Sequence, residues 1–375
     1  MAEATQTKTT IAIDPVTRIE GHLKAEVVVE NGKVVDAKLT GGMYRGFESI
    51  LRGRHPRDAA QIVQRICGVC PTAHATAASI ALEKASGTAV PSNGRATRNL
   101  ILGANYLQSH ILHFYHLAGQ DFIQGPDTAP FMPRYAKPDL RLPPAINAVG
   151  VDQYVEALEV RAVCHEMVAL FGGRMPHVHG ILAGGAAEIP TKEKLVEYAA
   201  RFKKVRKFVE EKYLPVVYLV GSQYKDLGAF GQGYRNALCV GVFPLDDEGK
   251  EFVFKAGAYQ DGKDMPFDVK RVTEDVKFSW FADSTSGKPF TKGENVLEVD
   301  KKGAYSFVKA PLYNGKPMEV GPLARMWVNN KPISPIGQKL FKEYFGLDVK
   351  NFRDMGEDLA FSLLGRHVAR AEEAL

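Results

Sequence analysis

The stretch of this chain best equipped for chemistry is Arg65-Ile66-Cys67-Gly68-Val69-Cys70-Pro71-Thr72-Ala73-His74, where two thiols stand three residues apart and Gly68 permits the tight turn between them. A pair so spaced can point at one ion. Thiolates are soft donors and suit zinc, nickel, an iron–sulfur cluster or a redox disulfide. A structural zinc site takes four ligands, and the remaining cysteines, Cys164 and Cys239, offer no second pair. Four cysteines in 375 residues are also too few for a disulfide framework. On spacing alone the pair reads equally as a metal or redox site and as two ordinary core thiols.

Other candidates are weaker as single residues. His74 follows Cys70 by four residues and by itself would be a satisfied helix histidine. Glu20 stands at strand spacing from Arg18 and alone reads as half of a surface ion pair. Glu48 alone reads as a helix-start glutamate. His110, His113 and His116 recur every three residues. That spacing drifts by about 60° per step on an α-helix, so the outer two diverge by about 120° and packing is favoured over a ligand stripe. Cys164 and Cys239 are expected to be buried structural thiols.

The elements that must position these residues are partly legible. Alternation over His22 to Val29, then Asn31-Gly32, then Lys33 to Ala37 predicts a β-hairpin closed by a type I′ turn. Helical patterning starts at Pro56 and breaks at Gly68, so Cys67 and Cys70 lie just past a helix, and Pro71 starts the next, which runs to about Gly87. Asn99 to Leu117 predicts a long helix buried all round, followed by helices over Gly150–Phe171 and Thr191–Tyr213. The face carrying Lys203, Lys204, Arg206 and Lys207 is expected to be solvated. The final helix ends with Glu372 and Glu373 in its last turn, where the helix dipole disfavours anions, and no Gly or Pro cap follows. That pattern predicts a chain cut inside a helix.

Composition excludes whole classes of protein. With 45% hydrophobic and 24% charged residues the chain is globular, and a net charge of +5, evenly interspersed, predicts no nucleic-acid partner. No apolar run approaches the roughly 18 residues needed to span a bilayer. Residues 1–10 are polar, lack a secretory signal, and are expected to form a disordered tail.

The segments Asp14-Pro15-Val16-Thr17-Arg18-Ile19-Glu20-Gly21-His22, Arg45-Gly46-Phe47-Glu48 and Arg65 to His74, in their order and spacing, resemble the large subunit of nickel–iron hydrogenases. The resemblance continues through Gly103-Ala104-Asn105-Tyr106-Leu107, His113-Phe114-Tyr115-His116-Leu117, Gly321-Pro322-Leu323-Ala324 and Gly365-Arg366-His367-Val368-Ala369-Arg370, covering essentially everything after Ile11. Gln108-Ser109-His110-Ile111-Leu112 and Cys164-His165-Glu166-Met167 look most like the nickel–iron–selenium subgroup of sulfate-reducing bacteria. The resemblance implies a mainly helical α+β fold, the hydrogenase large-subunit fold, with a long-helix bundle and an N-terminal β-hairpin. It makes 11–375 one incomplete large-subunit domain: a β-hairpin region over 11–55, a helical core over 56–235, an irregular β-containing excursion over 241–330 and C-terminal helices over 331–375.

By similarity Cys67 is a terminal nickel ligand, and Cys70 bridges nickel to an iron carrying cyanide and carbon monoxide. Soft sulfur around nickel agrees with coordination chemistry. His74 corresponds to the histidine that hydrogen-bonds the bridging sulfur. Glu20 matches the proton-relay glutamate, expected to be buried with a raised pKa, since heterolytic cleavage of dihydrogen leaves a proton to remove. Glu48 matches a ligand of a structural magnesium or similar hard cation. Val69 and Leu117 occupy positions that narrow the gas tunnel in relatives. Ser109 stands where many relatives carry an aspartate, so no acid is assigned there. Leu312 stands where many carry arginine, an unexplained difference. The implied reaction is reversible oxidation of dihydrogen to protons and electrons. Electrons would leave through iron–sulfur clusters of a small subunit in a heterodimer, towards a cytochrome-type carrier. Family habit places such enzymes in the periplasm, exported with the small subunit, with the cytoplasm as the alternative.

The family's second ligand pair lies in a motif Asp-Pro-Cys-x-x-Cys-x-x-His, its first cysteine replaced by selenocysteine in the subgroup, and no such motif occurs among these residues. The expectation is a fragment, or a site completed by another polypeptide, with this chain inactive alone. Two rivals differ in class: a non-catalytic relative of the complex I quinone-site subunit, and a thiol-redox or zinc-binding protein using Cys67 and Cys70.

Overall fold

The computed structural model describes residues 8–134 and 138–375. They divide into two compact units, one running up to Arg52 and taking in Asp268–Pro317, the other comprising Gly53–Phe267 and Met318–Leu375.

In the first unit β1 (Lys8–Ile13), β2 (Leu23–Glu30) and β3 (Lys33–Gly41) form an antiparallel sheet in that order. Register sets Ile11, Val27 and Ala37 side by side, and likewise Ile13, Ala25 and Leu39, so one face is apolar. Asn31 and Gly32 both have positive φ, 51° and 76°, which is the backbone of a type I′ turn. Lys8–Thr10 lie within β1, which corrects the expectation of a disordered tail over 1–10; the rest of that expectation lies outside the described residues. Helix α1 (Phe47–Leu51) follows. Strands Val272–Asp275, Lys288–Pro289, Ala310–Tyr313 and Lys316–Pro317 make a second sheet of this unit. The expected excursion over 241–330 is therefore shared: its strands Phe252–Phe254, Gly257–Gln260 and Lys263–Met265 belong to the second unit.

The second unit is built on helices. A 3-10 turn (Pro56–Asp58), α2 (Ala59–Ile62) and another 3-10 turn (Val63–Ile66) lead to the cysteines. Helix α3 (Pro71–Ser86) starts on Pro71, whose fixed φ suits a first turn, and stops at Gly87, where φ of 68° favours glycine. Helix α4 (Ser92–Leu112) begins before the expected Asn99 and continues as a π turn through Ala118; no residue between 99 and 117 is exposed. Helices α5 (Pro144–Gly172), α6 (Lys192–Phe208) and α7 (Leu214–Gln223) follow, with a π turn joining the last two. Helix α4 packs on α5 and α5 on α6, around Ile101, Ile111, Tyr115, Phe171 and Tyr213. Lys203, Lys204, Arg206 and Lys207 are solvated as expected. Helices α8 (Pro322–Val328), α9 (Pro335–Leu340), α10 (Glu357–Ala360) and α11 (Leu363–Glu373) complete the unit.

The acids of the last turn need a different account from the one their sequence position suggests. Glu372 is 7% exposed and accepts hydrogen bonds from Tyr218 Oη at 2.7 Å and from the Ser334 N–H at 2.8 Å. Glu373 is held by the Arg325 guanidinium at 2.5 and 2.6 Å and lies 2.9 Å from His110 Nε2. Burial pushes the Glu373 carboxyl up, but hydrogen bonds from Arg325 and His110 more than offset it and hold it at about 2. These carboxylates are tertiary anchors, and their contacts offset the unfavourable place of two acids at a helix end.

Candidate metal centre

The Cys67–Cys70 turn lies wholly within the second unit, and the structure brings Cys67, Cys70 and His74 together there. Cys67 takes an extended backbone at the end of the Val63–Ile66 turn, and Cys70 is the N-cap of α3. The Cys70 N–H donates to Cys67 Sγ at 3.3 Å, so one thiol faces the backbone of the other. Cys70 Sγ lies 3.7 Å from His74 Nε2, one helical turn on. Burial pushes the His74 imidazole below its usual range, which keeps it neutral near pH 7 and able to share one hydrogen bond with sulfur. The positive end of α3 favours negative charge on the Cys70 sulfur.

Buried amides fasten this turn from several sides. Gln64, fully buried, donates to the Val178 carbonyl at 2.9 Å and to the Ala60 carbonyl at 3.0 Å. Gln108 of α4, also fully buried, donates to the Val69 carbonyl at 2.9 Å. At the far end of α3, Glu83 accepts from Arg98 of α4 at 2.5 and 3.2 Å and from the Gly184 N–H at 2.8 Å. Gln64 stands outside the stretches that carry the family resemblance, and Gln108 lies in one of them without a role assigned to it. For Gln108 the available signal was a polar amide, with Asn105, among Ile101, Leu102, Ala104 and Ile111, because buried amides must find partners.

The carboxylates sit in the first unit. Glu20 lies in the loop joining β1 to β2, which runs through Gly21 with φ of 90°, and it is exposed among the described residues, where a buried acid was expected. Glu48 opens α1 and lines a cavity of about 260 Å³ with Tyr44, Arg45, Glu274, Phe281 and Lys309. Lys309 Nζ lies 3.3 Å from Glu274, and Tyr44 stacks on Phe307 with ring centroids 5.3 Å apart. Among the described residues no three His, Cys, Asp or Glu side chains converge as a complete metal set. The thiol turn thus fits a soft metal as two of its ligands, and Glu48 fits a hard cation as a single carboxylate donor.

The three-residue histidine stripe is structural. His110 is paired with Glu373, His116 Nε2 is 3.2 Å from the Tyr154 carbonyl, and His113 packs on His367 with centroids 5.6 Å apart. Cys164 and Cys239 are buried and unbridged, and burial pushes the Cys164 thiol up to about 12.

A family profile described as nickel-dependent hydrogenase matches residues 45–127 and 120–375, and a HoxL-like profile matches 10–40. The chain is 60% identical to the periplasmic [NiFeSe] hydrogenase large subunit of Desulfomicrobium baculatum over 98% of its own length and 73% of that protein's. It is 33% identical to the hydrogenase-2 large chain of Escherichia coli K12, over 85% of this chain and 67% of the other. The structure of the Ni-Fe-Se hydrogenase from D. vulgaris Hildenborough superposes with a TM-score of 0.96 at 71% identity, covering 98% of this chain and 76% of that one. These matches favour neither the quinone-site reading nor the zinc or thiol-redox reading. No helix among the described residues is long and apolar enough to cross a membrane. A thiol turn braced by buried amides, within a fold this close to solved hydrogenases, settles the family: the chain belongs to the nickel-dependent hydrogenase large subunits.

Proposed function

We propose that the Cys67–Cys70 turn is half of the nickel–iron site of a [NiFeSe]-type hydrogenase large subunit, which oxidises dihydrogen reversibly to protons and electrons. The observation that carries this reading is the turn itself: two thiols linked by an N–H···S contact at the head of α3, with the His74 Nε2 3.7 Å from the second sulfur. When bound, the nickel–iron group, its iron carrying cyanide and carbon monoxide, supplies a soft metal pair at which dihydrogen splits heterolytically. The protein's part is to hold and to move protons. Cys67 and Cys70 would hold the nickel–iron group through their sulfurs, and His74 would hydrogen-bond the Cys70 sulfur and draw electron density from it. Glu20 carries the proton, and its exposure suits release to water. Glu48 holds magnesium or a similar cation in the cavity beside α1. Electrons pass to iron–sulfur clusters of a small subunit, and the pair works in the periplasm, exported together. The packed long helices form the family's bundle, and the β2–β3 pair its N-terminal hairpin.

Metal analysis of the chain matured beside its small subunit tests the reading. Nickel and iron are expected together, and C70S is expected to lose both. Stoichiometric zinc without nickel, or nickel and iron retained undiminished in C70S, would sink it.

A further inference from the structure

We infer that Gln108 is a positioning residue for the metal site, fixing the Val69–Cys70 peptide whose N–H reaches the Cys67 sulfur. The inference rests on the reading of Cys67 and Cys70 as metal ligands. Its basis is a single peptide plane. The carbonyl of Val69 accepts from Gln108 Nε2 at 2.9 Å, and the N–H of the same peptide, that of Cys70, donates to Cys67 Sγ at 3.3 Å. A carbonyl that accepts a hydrogen bond polarises its own amide and makes the N–H a better donor, so the two contacts reinforce each other. Turning the plane about its Cα–Cα axis would lose both contacts.

Gln108 is well placed to hold that plane. It is fully buried, and its amide is satisfied at both ends: the nitrogen faces the Val69 carbonyl and, at 3.4 Å, Asn105 Oδ1, while the oxygen faces Arg161 NH2 at 3.5 Å. The reverse amide orientation would set oxygen against two oxygens and nitrogen against a guanidinium, so the neighbours fix which end points at the turn. Asn105 is itself 2% exposed, and Arg161 reaches across from α5. The turn is thereby referenced to the two longest helices of the unit. A hydrogen bond to a ligating sulfur withdraws electron density and makes reduction of the attached metal easier, so Gln108 acts on the metals through Cys67 without touching them.

The test compares wild type with Q108M and Q108E, each matured with the small subunit. Methionine keeps the volume but loses the donor. Glutamate keeps the length and the contact with Arg161 but presents oxygen to the Val69 carbonyl. Loss of one buried hydrogen bond predicts that the Cys70 amide exchanges with deuterium about tenfold faster in Q108M. The midpoint potential of the metal centre is expected to move to more negative values in both variants, with nickel and iron still bound. Unchanged exchange and potential in Q108M overturn the proposal. So does loss of assembly in both variants, which would give Gln108 a folding role only. A wild-type complex without nickel and iron would instead overturn the reading of the thiol turn, while the exchange measurement would still report on the peptide.

Discussion

The thiol turn and the Glu20 loop are each offered as reactive groups, yet the chain treats them in opposite ways. Around Cys67 and Cys70 the backbone is fastened by fully buried glutamines, from α4 and from the approach to Cys67, and the sulfurs are turned towards an N–H and an imidazole. Around Glu20 the loop between two strands leaves the carboxylate in water. A ligand must be set within a few tenths of an ångström, because metal–sulfur distances tolerate little error. A proton carrier must only come within hydrogen-bond reach and touch water. The thiol turn is fastened from several sides, and the Glu20 carboxylate is left exposed.

The largest effect that sharpens this contrast is expected from E20Q in the matured complex. Turnover should fall by about 10²–10⁴-fold with nickel and iron content unchanged, as read by gas-exchange assay beside metal analysis. Turnover equal to wild type would remove Glu20 from the proton path. Next is E373Q, which leaves the buried Arg325 without its carboxylate; the unfolding free energy in denaturant should drop by about 3–5 kcal/mol. A loss below about 1 kcal/mol would mean the pair is no anchor.

The third effect is the pH dependence of the helical unit. Burial first, and then the charge of Arg370, push His113 from 6.5 to about 3 and His367 from 6.5 to about 4. The folded form keeps these rings neutral while the unfolded chain takes up protons below about 6.5, so stability is full above that pH and falls as pH drops towards 4 and 3. The urea midpoint should decline over that window in wild type and less steeply in H113N/H367N; equal slopes would absolve the pair. The smallest effect is expected in the first unit: G32A forces alanine to a φ of 76° at the strand turn and should cost about 1–2 kcal/mol. No change in that variant would show the turn free to relax.

What could be read in advance follows the range of the forces involved. Pro71 and Gly87 bound α3 because ring closure and a left-handed backbone are local properties, and the solvated face of α6 follows from its own lysines. The thiol spacing was legible for the same reason. The anchoring role of Glu372 and Glu373 was not legible because their partners Tyr218, Ser334, Arg325 and His110 are remote along the chain. Glu20 was expected to be buried by its role, whereas exposure depends on what lies over the loop. Gln108 was quoted within a family stretch without a role of its own, since an amide in an apolar helix declares a need for partners but not who they are.

The Glu83–Arg98 clamp at the tail of α3 and the Gln108 tie at its head have a joint mechanical effect. A rod pinned at both ends resists tipping, so that if the proposed sulfur–metal bonds lengthened or shortened with oxidation state, side-chain torsions at the thiols themselves would absorb the change, and reorganisation would stay small and confined to the centre.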